Sequence, residues 1–279
     1  MVPTRCQIPG VNRNDAIPTT HNQNAPMKTT LLFGATMLAA AVVVAADSPP
    51  KSSTPKEPAK ESAKDSALKD EVSAAAKALG NKSNYSWRTV VVVPEDAMIK
   101  PGPTAGTTEK DGYTHYKMTF FDNPFQVVQK GDKAAFTDQD GGWRSAAEAE
   151  NDEGPGRFMG SFARDIQAPA EDAATLASYT KELKKDGEAY VSDLTEEGAK
   201  RYLTFRRRNA GDGVTVANPK GSVKFWIKDG VLTKYEYKVK GTVNWNGNEF
   251  ENDRTTTVDV KEVGTTKVQV PEEAKKKLS

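Results

Sequence analysis

Cysteine is almost missing from these 279 residues: one stands at Cys6 and none follows it. With no second thiol, no disulfide forms within the chain, so an ordinary packed core has to hold it. Histidine is nearly as scarce, with only His21 and His115. That scarcity removes a thiol–histidine nucleophile and a histidine-rich metal set from the classes this chain can belong to, and no metal or other cofactor is expected. An excess of one charge is also lacking, because 39 bases stand against 38 acids. Near-neutrality gives no electrostatic footprint for nucleic acid and limits contact with an anionic bilayer to a transient one. Long apolar runs number one, from Leu31 to Val44.

That single run is informative because of what flanks it. Met27-Lys28-Thr29-Thr30 precedes it and Ala45-Ala46-Asp47 follows, which gives a charged start, an apolar middle and a small-residue cleavage site. The segment Met27 to Ala46 is predicted to be a signal peptide cut after Ala46, too short and too directly followed by polar sequence to serve as a membrane span. The expectation is an exported, soluble, periplasmic protein. Residues 1–26 show no helical or strand period and lie ahead of a complete signal, so they are read as an over-long gene start. Residues 1–46 hold three bases (Arg5, Arg13, Lys28) and one acid (Asp15), which leaves 36 bases to 37 acids and no cysteine in the rest. The missing cysteine after the cleavage site excludes a lipid-anchored lipoprotein.

Residues 47–61 combine Pro, Ser and balanced charge without an apolar pattern, the composition of a disordered tether. A single domain is expected over 62–279. Leu68, Val72, Ala75 and Leu79 fall at helical spacing ahead of Gly80, which predicts one opening helix. Tyr85, Trp87, Thr89, Val91 and Val93 then alternate as a strand. Tyr116, Met118 and Phe120 form the apolar face of another, with His115, Lys117 and Thr119 on its polar face. Lys130-Gly131-Asp132 and Asp140-Gly141-Gly142 punctuate an antiparallel meander.

A helical insert is expected at about 156–203. Phe158, Met159, Phe162 and Ile166 make one stripe, and Ala173, Leu176, Thr180 and Leu183 a second. A short helix is predicted after Asp193, capped by Thr195. The clearest sheet signal comes last. Val223, Phe225 and Ile227 alternate with Lys224, Trp226 and Lys228, Asp229-Gly230 turns the chain, and Tyr235, Tyr237 and Val239 alternate with Lys234, Glu236 and Lys240. A second turn at Asn246-Gly247 leads to Val258 and Val260. Long strands with one apolar and one wet face need a cover, and the two stripes of the insert are suited to it.

The element order and the stretches from Gly221 to Gly230 and from Asp229 to Tyr235 resemble the Trp-containing hairpins of the lipoprotein-carrier superfamily, the LolA/LolB-like half-barrel, over residues 66–278. The resemblance implies an α+β fold: a curved antiparallel sheet, an open half-barrel, with helices covering the concave face. It also implies an apolar cavity for acyl chains and no catalytic residues. Strand parity places Trp87, Tyr116, Met118, Phe120, Phe225, Tyr235 and Tyr237 in that cavity. Phe158, Met159, Phe162 and Leu176 would close over it as a lid, with Gly154, Gly156 and Gly160 as pivots. The implied partner is a lipid or acylated protein.

Other readings attach to single features. A ligand-free envelope scaffold or sensor needs only the same apolar faces, fully packed. A secreted hydrolase would have to rest on His115. Gly154-Pro155-Gly156-Arg157-Phe158-Met159-Gly160 lacks the ending of a phosphate loop. Glu148, Glu150, Asp152 and Glu153 lack calcium-loop spacing, and Arg206-Arg207-Arg208 reads as a solvated connector.

Overall fold

The alternation of the last third builds the largest hairpins of a sheet that the first third completes. In a computed structural model, α1 (Pro58–Gly80) is followed by a meander of β1 (Asn84–Val92), β2 (Thr104–Glu109), β3 (Thr114–Phe120), β4 (Asn123–Lys130), β5 (Lys133–Thr137) and β6 (Trp143–Ser145). A 3-10 turn at Glu148–Asn151 leads into α2 (Pro155–Asp165), α3 (Pro169–Ser178), β7 (Lys184–Asp186), β8 (Ala189–Asp193) and α4 (Glu196–Leu203). Then come β9 (Val214–Lys228), β10 (Val231–Trp245), β11 (Asn248–Lys261) and α5 (Glu272–Lys277). The structure describes residues 58–97, 100–120, 123–204, 214–245 and 247–279, with side chains from Asp65 onward and that of Phe120 excepted. The signal peptide, the leading 26 residues, most of the tether and Arg206-Arg207-Arg208 lie outside them. α1 begins at Pro58, four residues inside the segment read as tether.

Eleven strands form one sheet in the order β6-β5-β4-β3-β2-β1-β11-β10-β9-β8-β7, every neighbour antiparallel. The ends do not meet, so the sheet is an open, curved half-barrel with helices on its concave face, the α+β class expected. The two edges are the shortest strands, β6 and β7, of three residues each.

Register follows from the apolar pattern. Trp87 stands between Val260 of β11 and Gly106 of β2. Gly106 is required there, because a Cβ on it would lie 2.0 Å from the Trp87 ring. Asp229 and Gly230, both at positive φ, form the tight β9–β10 turn that the sequence predicts.

Helix ends follow equally local chemistry. Pro169 opens α3, where its missing N–H costs nothing. Thr195 caps α4, its hydroxyl accepting from the Gly198 N–H at 3.1 Å.

Three expectations are corrected. First, the insert is not wholly helical: Lys184–Asp186 and Ala189–Asp193 are strands that extend the sheet beyond β9. The second stripe ends with it, since α3 stops at Ser178 while Thr180 and Leu183 are buried after the helix. Second, the cover is not the insert alone. α1 lies in the trough against β9 and β10, α4 beside it on the same strands, α2 against β4 and β5, and α3 on α1.

Third, His115 is 4% exposed rather than on a wet face. The segment after β11 folds across the convex side, where Ala274 and Leu278 bury Val128 and Ala135. His115 is held there by the Gln269 carbonyl at Nδ1, 2.7 Å, and the Gln126 side chain at Nε2, 2.9 Å. His115 keeps the outward parity of β3, but a non-local segment removes its solvent.

Candidate functional site

The concave trough gathers apolar side chains from both halves of the sheet into one continuous cluster. Trp87, Tyr116, Phe225, Tyr235 and Tyr237 are all buried within it, and Met118 packs against its edge. Trp87 meets the Tyr116 ring edge-on with centroids 5.4 Å apart, and Tyr85 at 5.8 Å. Such pairs add about 0.5–1.5 kcal/mol beyond their burial. Phe120 ends β3, and its side chain lies outside the described residues.

Leu176 is fully buried, Met159 and Phe162 are half-buried against the cluster, and Phe158 is half-buried. Phe162 approaches Phe125 at 6.2 Å, which ties α2 to β4. Of the three glycines read as pivots, Gly160 is a packing position: a Cβ there would lie 2.8 Å from that of Ala149 in the 3-10 turn.

Polar groups that sequence reasoning missed fasten the helices to this trough. Asp172 of α3 is 1% exposed, and its two carboxylate oxygens accept from the hydroxyls of Tyr202 in α4 and Tyr235 in β10, each at 2.7 Å. The Arg254 guanidinium of β11 donates to the Tyr202 carbonyl. Gln129 of β4 accepts from Tyr116 at 3.1 Å and donates to the carbonyls of Ala163 and Ile166 at 2.8 and 2.9 Å, closing the end of α2. The Tyr190 hydroxyl of β8 donates to Glu71 of α1, and the Leu183 N–H donates to Asp65. Burial pushes the Tyr85 phenol up to about 12, partly offset by its bond from the Ala170 N–H.

The trough is not covered along its whole length. Val216, Val243, Trp245 and Phe250 continue the concave parity towards the β10–β11 turn, where Val243 pairs with both Val216 and Phe250. Trp245 is 54% exposed and Phe250 37%. The strands here outrun the helices among the described residues, so the apolar stripe emerges into solvent. The sequence carried the signal, since Val243 and Trp245 keep the alternation of Tyr235 and Tyr237.

At another part of the rim lies a polar cleft of about 800 Å³. It is built where the end of α1, the β2–β3 turn, the α2–α3 connection and Arg201 of α4 converge. Among the described residues no group of acids, histidines and cysteines is placed to hold a metal, and no helix is long and apolar enough to cross a membrane.

No protein-family model matches this chain, and no curated protein sequence matches it. Solved structures do. The lipoprotein LppX of Mycobacterium tuberculosis is similar at 12% identity over 74% of this chain and 100% of its own, with a TM-score of 0.42. LprF of Mycobacterium bovis is similar at 8% identity over 75% and 98%, with a TM-score of 0.41. A LolA superfamily protein of Nitrosomonas europaea is similar at 9% identity over 72% and 94%, with a TM-score of 0.32. The half-barrel implied by the hairpin sequences is the architecture that the strand order itself defines.

Proposed function

We propose that this protein is an exported carrier or chaperone of the bacterial envelope that shelters the apolar chains of a lipid or of an acylated protein between its sheet and its helices. The observation that carries this reading is the strip at the hairpin tips, where Val216 and Val243 pack against the buried cluster while Trp245 and Phe250 on the same face stand exposed. A sheet built only to be a core gains nothing from carrying its apolar parity into water, since each exposed large side chain forgoes about 1.5–3 kcal/mol of burial. In this reading acyl chains enter along β9–β11 and displace helix contacts to lie against Phe225, Tyr235, Tyr237, Trp87, Tyr116 and Met118. Phe158, Met159, Phe162 and Leu176 re-close over them. Phe120 belongs to the same set by parity. Binding needs no cofactor and no catalytic group, and the signal at Met27 to Ala46 delivers the protein to the periplasm.

The test is native mass spectrometry with lipid extraction on residues 47–279 purified from their own envelope without detergent. A stoichiometric lipid is the expected result. One observation favours a second reading, that of an envelope scaffold working through protein contacts: the rest of the cluster is closely packed, with Phe225 at 0% exposure. An empty protein that takes up no fluorescent fatty acid, yet crosslinks reproducibly to one partner, would replace the carrier with the scaffold.

A further inference from the structure

From the rim cleft we infer a second binding site, independent of the apolar trough, that takes a neutral polyhydroxylated ligand, a saccharide. Its lining carries polar groups that the protein itself leaves unused. Lys82, Lys110 and Arg201 on one side of the charge ledger, and Asp111, Asp165 and Glu171 on the other, line the cleft without a side-chain hydrogen bond or ion pair. Arg164, also lining it, is already committed to Glu150 and to the Ala146 carbonyl.

Two atoms sharpen the assignment. Gln167 Oε1, an acceptor, and Arg201 Nε, a donor, are both shut off from solvent and bonded to nothing, on residues that line the same cleft. Leaving such groups unpaired is costly to the folded state, and native structures contain few of them. Both residues are half-buried, and each atom meets an occupant when its side chain turns toward the cleft.

The chemistry of the lining selects the class. An unused donor and an unused acceptor on residues of one cleft suit a ligand that both gives and takes hydrogen bonds, as a hydroxyl does and an ammonium does not. Three free charges of each sign leave no net field to favour an anion or a cation. They do provide charged partners for hydroxyls, whose bonds are stronger than neutral ones. A volume of about 800 Å³ accommodates a short oligosaccharide and lies within the range of small-molecule sites.

The experiment is amide NMR on residues 47–279, titrated separately with maltose, cellobiose, diacetylchitobiose, inorganic phosphate and diglycine. The expected result is that at least one saccharide shifts residues 108–114 and 164–171, and that Gln167→Ala and Arg201→Ala each weaken its binding about tenfold. Because both atoms lack partners in the folded protein, these substitutions should leave the thermal midpoint unchanged or raised. Lys224→Ala, in the middle of β9 and not among the lining residues, should leave binding unchanged. No shift with any saccharide, a stronger response to phosphate or diglycine, or a lowered midpoint in both variants would each overturn the assignment. Lipid occupancy of the trough is read separately by mass spectrometry, so either site can fail without the other.

Discussion

The two ends of the trough are made of the same kind of sequence and meet opposite fates. Around Trp87, Tyr116 and Phe225 the inward residues are sealed by α1, α2 and α4, and exposure falls to a few per cent or nothing. Eight and ten residues beyond Tyr235 on β10, Val243 and Trp245 keep the inward parity, as does Phe250 opposite Val243, and exposure rises to 54% at Trp245 and 37% at Phe250. Alternation tells which face of a strand is apolar and leaves open whether anything will lie on it. The cover is decided by where helices end: α4 stops at Leu203, whose side chain a Cβ on Gly241 would meet at 2.9 Å.

The strongest way to break this contrast is at the sealed end. Phe225→Ala should cost about 3–5 kcal/mol, because a fully buried ring leaves a cavity that its neighbours fill only in part. Urea unfolding of the purified variant checks it, and a loss under about 1 kcal/mol would mean that the sealed end is already loose.

Next in size is Asp172→Ala, which removes the buried carboxylate that the Tyr202 and Tyr235 hydroxyls both donate to and so loosens α3 and α4 on β10. About 2–4 kcal/mol should be lost, and hydrogen exchange in α3 and α4 should rise before that of β9 and β10. Exchange that rises equally everywhere would show that the carboxylate braces the whole sheet rather than its cover.

Alkaline titration gives a smaller effect. The Tyr85 phenol loses its proton at about 12 in the folded state against 10.0 in the unfolded chain, so folding favours the protonated form. Its contribution, about 2–3 kcal/mol, is whole below pH 10 and fades as pH rises through 12. Phenolate absorbance compared between the protein and Tyr85→Phe measures it, and a tyrosine that titrates in step with the exposed ones would contradict the sealing of this end.

The smallest effect belongs to the open end. Trp245→Ala should change stability by less than about 1 kcal/mol, since the ring is largely in water already. It should nonetheless slow uptake of a fluorescent fatty acid. Unchanged uptake together with unchanged stability would leave the exposed strip without the role proposed for it.

Legibility from sequence tracked the range of the forces involved. Asp229-Gly230, the Thr195 cap and the alternation from Val223 to Val239 are settled within a few residues, and each stands where the pattern places it. The strands at Lys184–Asp186 and Ala189–Asp193 were not legible, because three and five residues are too short to carry a clear alternation and they form by pairing, β8 on β9 and β7 on β8. His115 was placed on the right face and given the wrong surroundings, since its cover arrives from Gln269, 154 residues away. Asp172 showed no signal at all: an acid in the first turn of a helix is ordinary, and only the fold brings two tyrosines to it. The rim cleft draws on residues from Gly80 to Arg201 in α1 to α4 and β1 to β4, so no window of sequence contains it.

An open sheet has two free sides, and in this protein each ends in three residues, Trp143–Ser145 and Lys184–Asp186. A strand from another molecule that approached β7 would find Lys184, Lys185 and Asp186 and then run out of backbone to bond. At β6 the Arg144 side chain is drawn to Asp152 and α5 lies alongside. Eleven strands of template thus end in margins too short and too charged to recruit a twelfth, which lets a half-barrel stay unclosed without growing into a fibre.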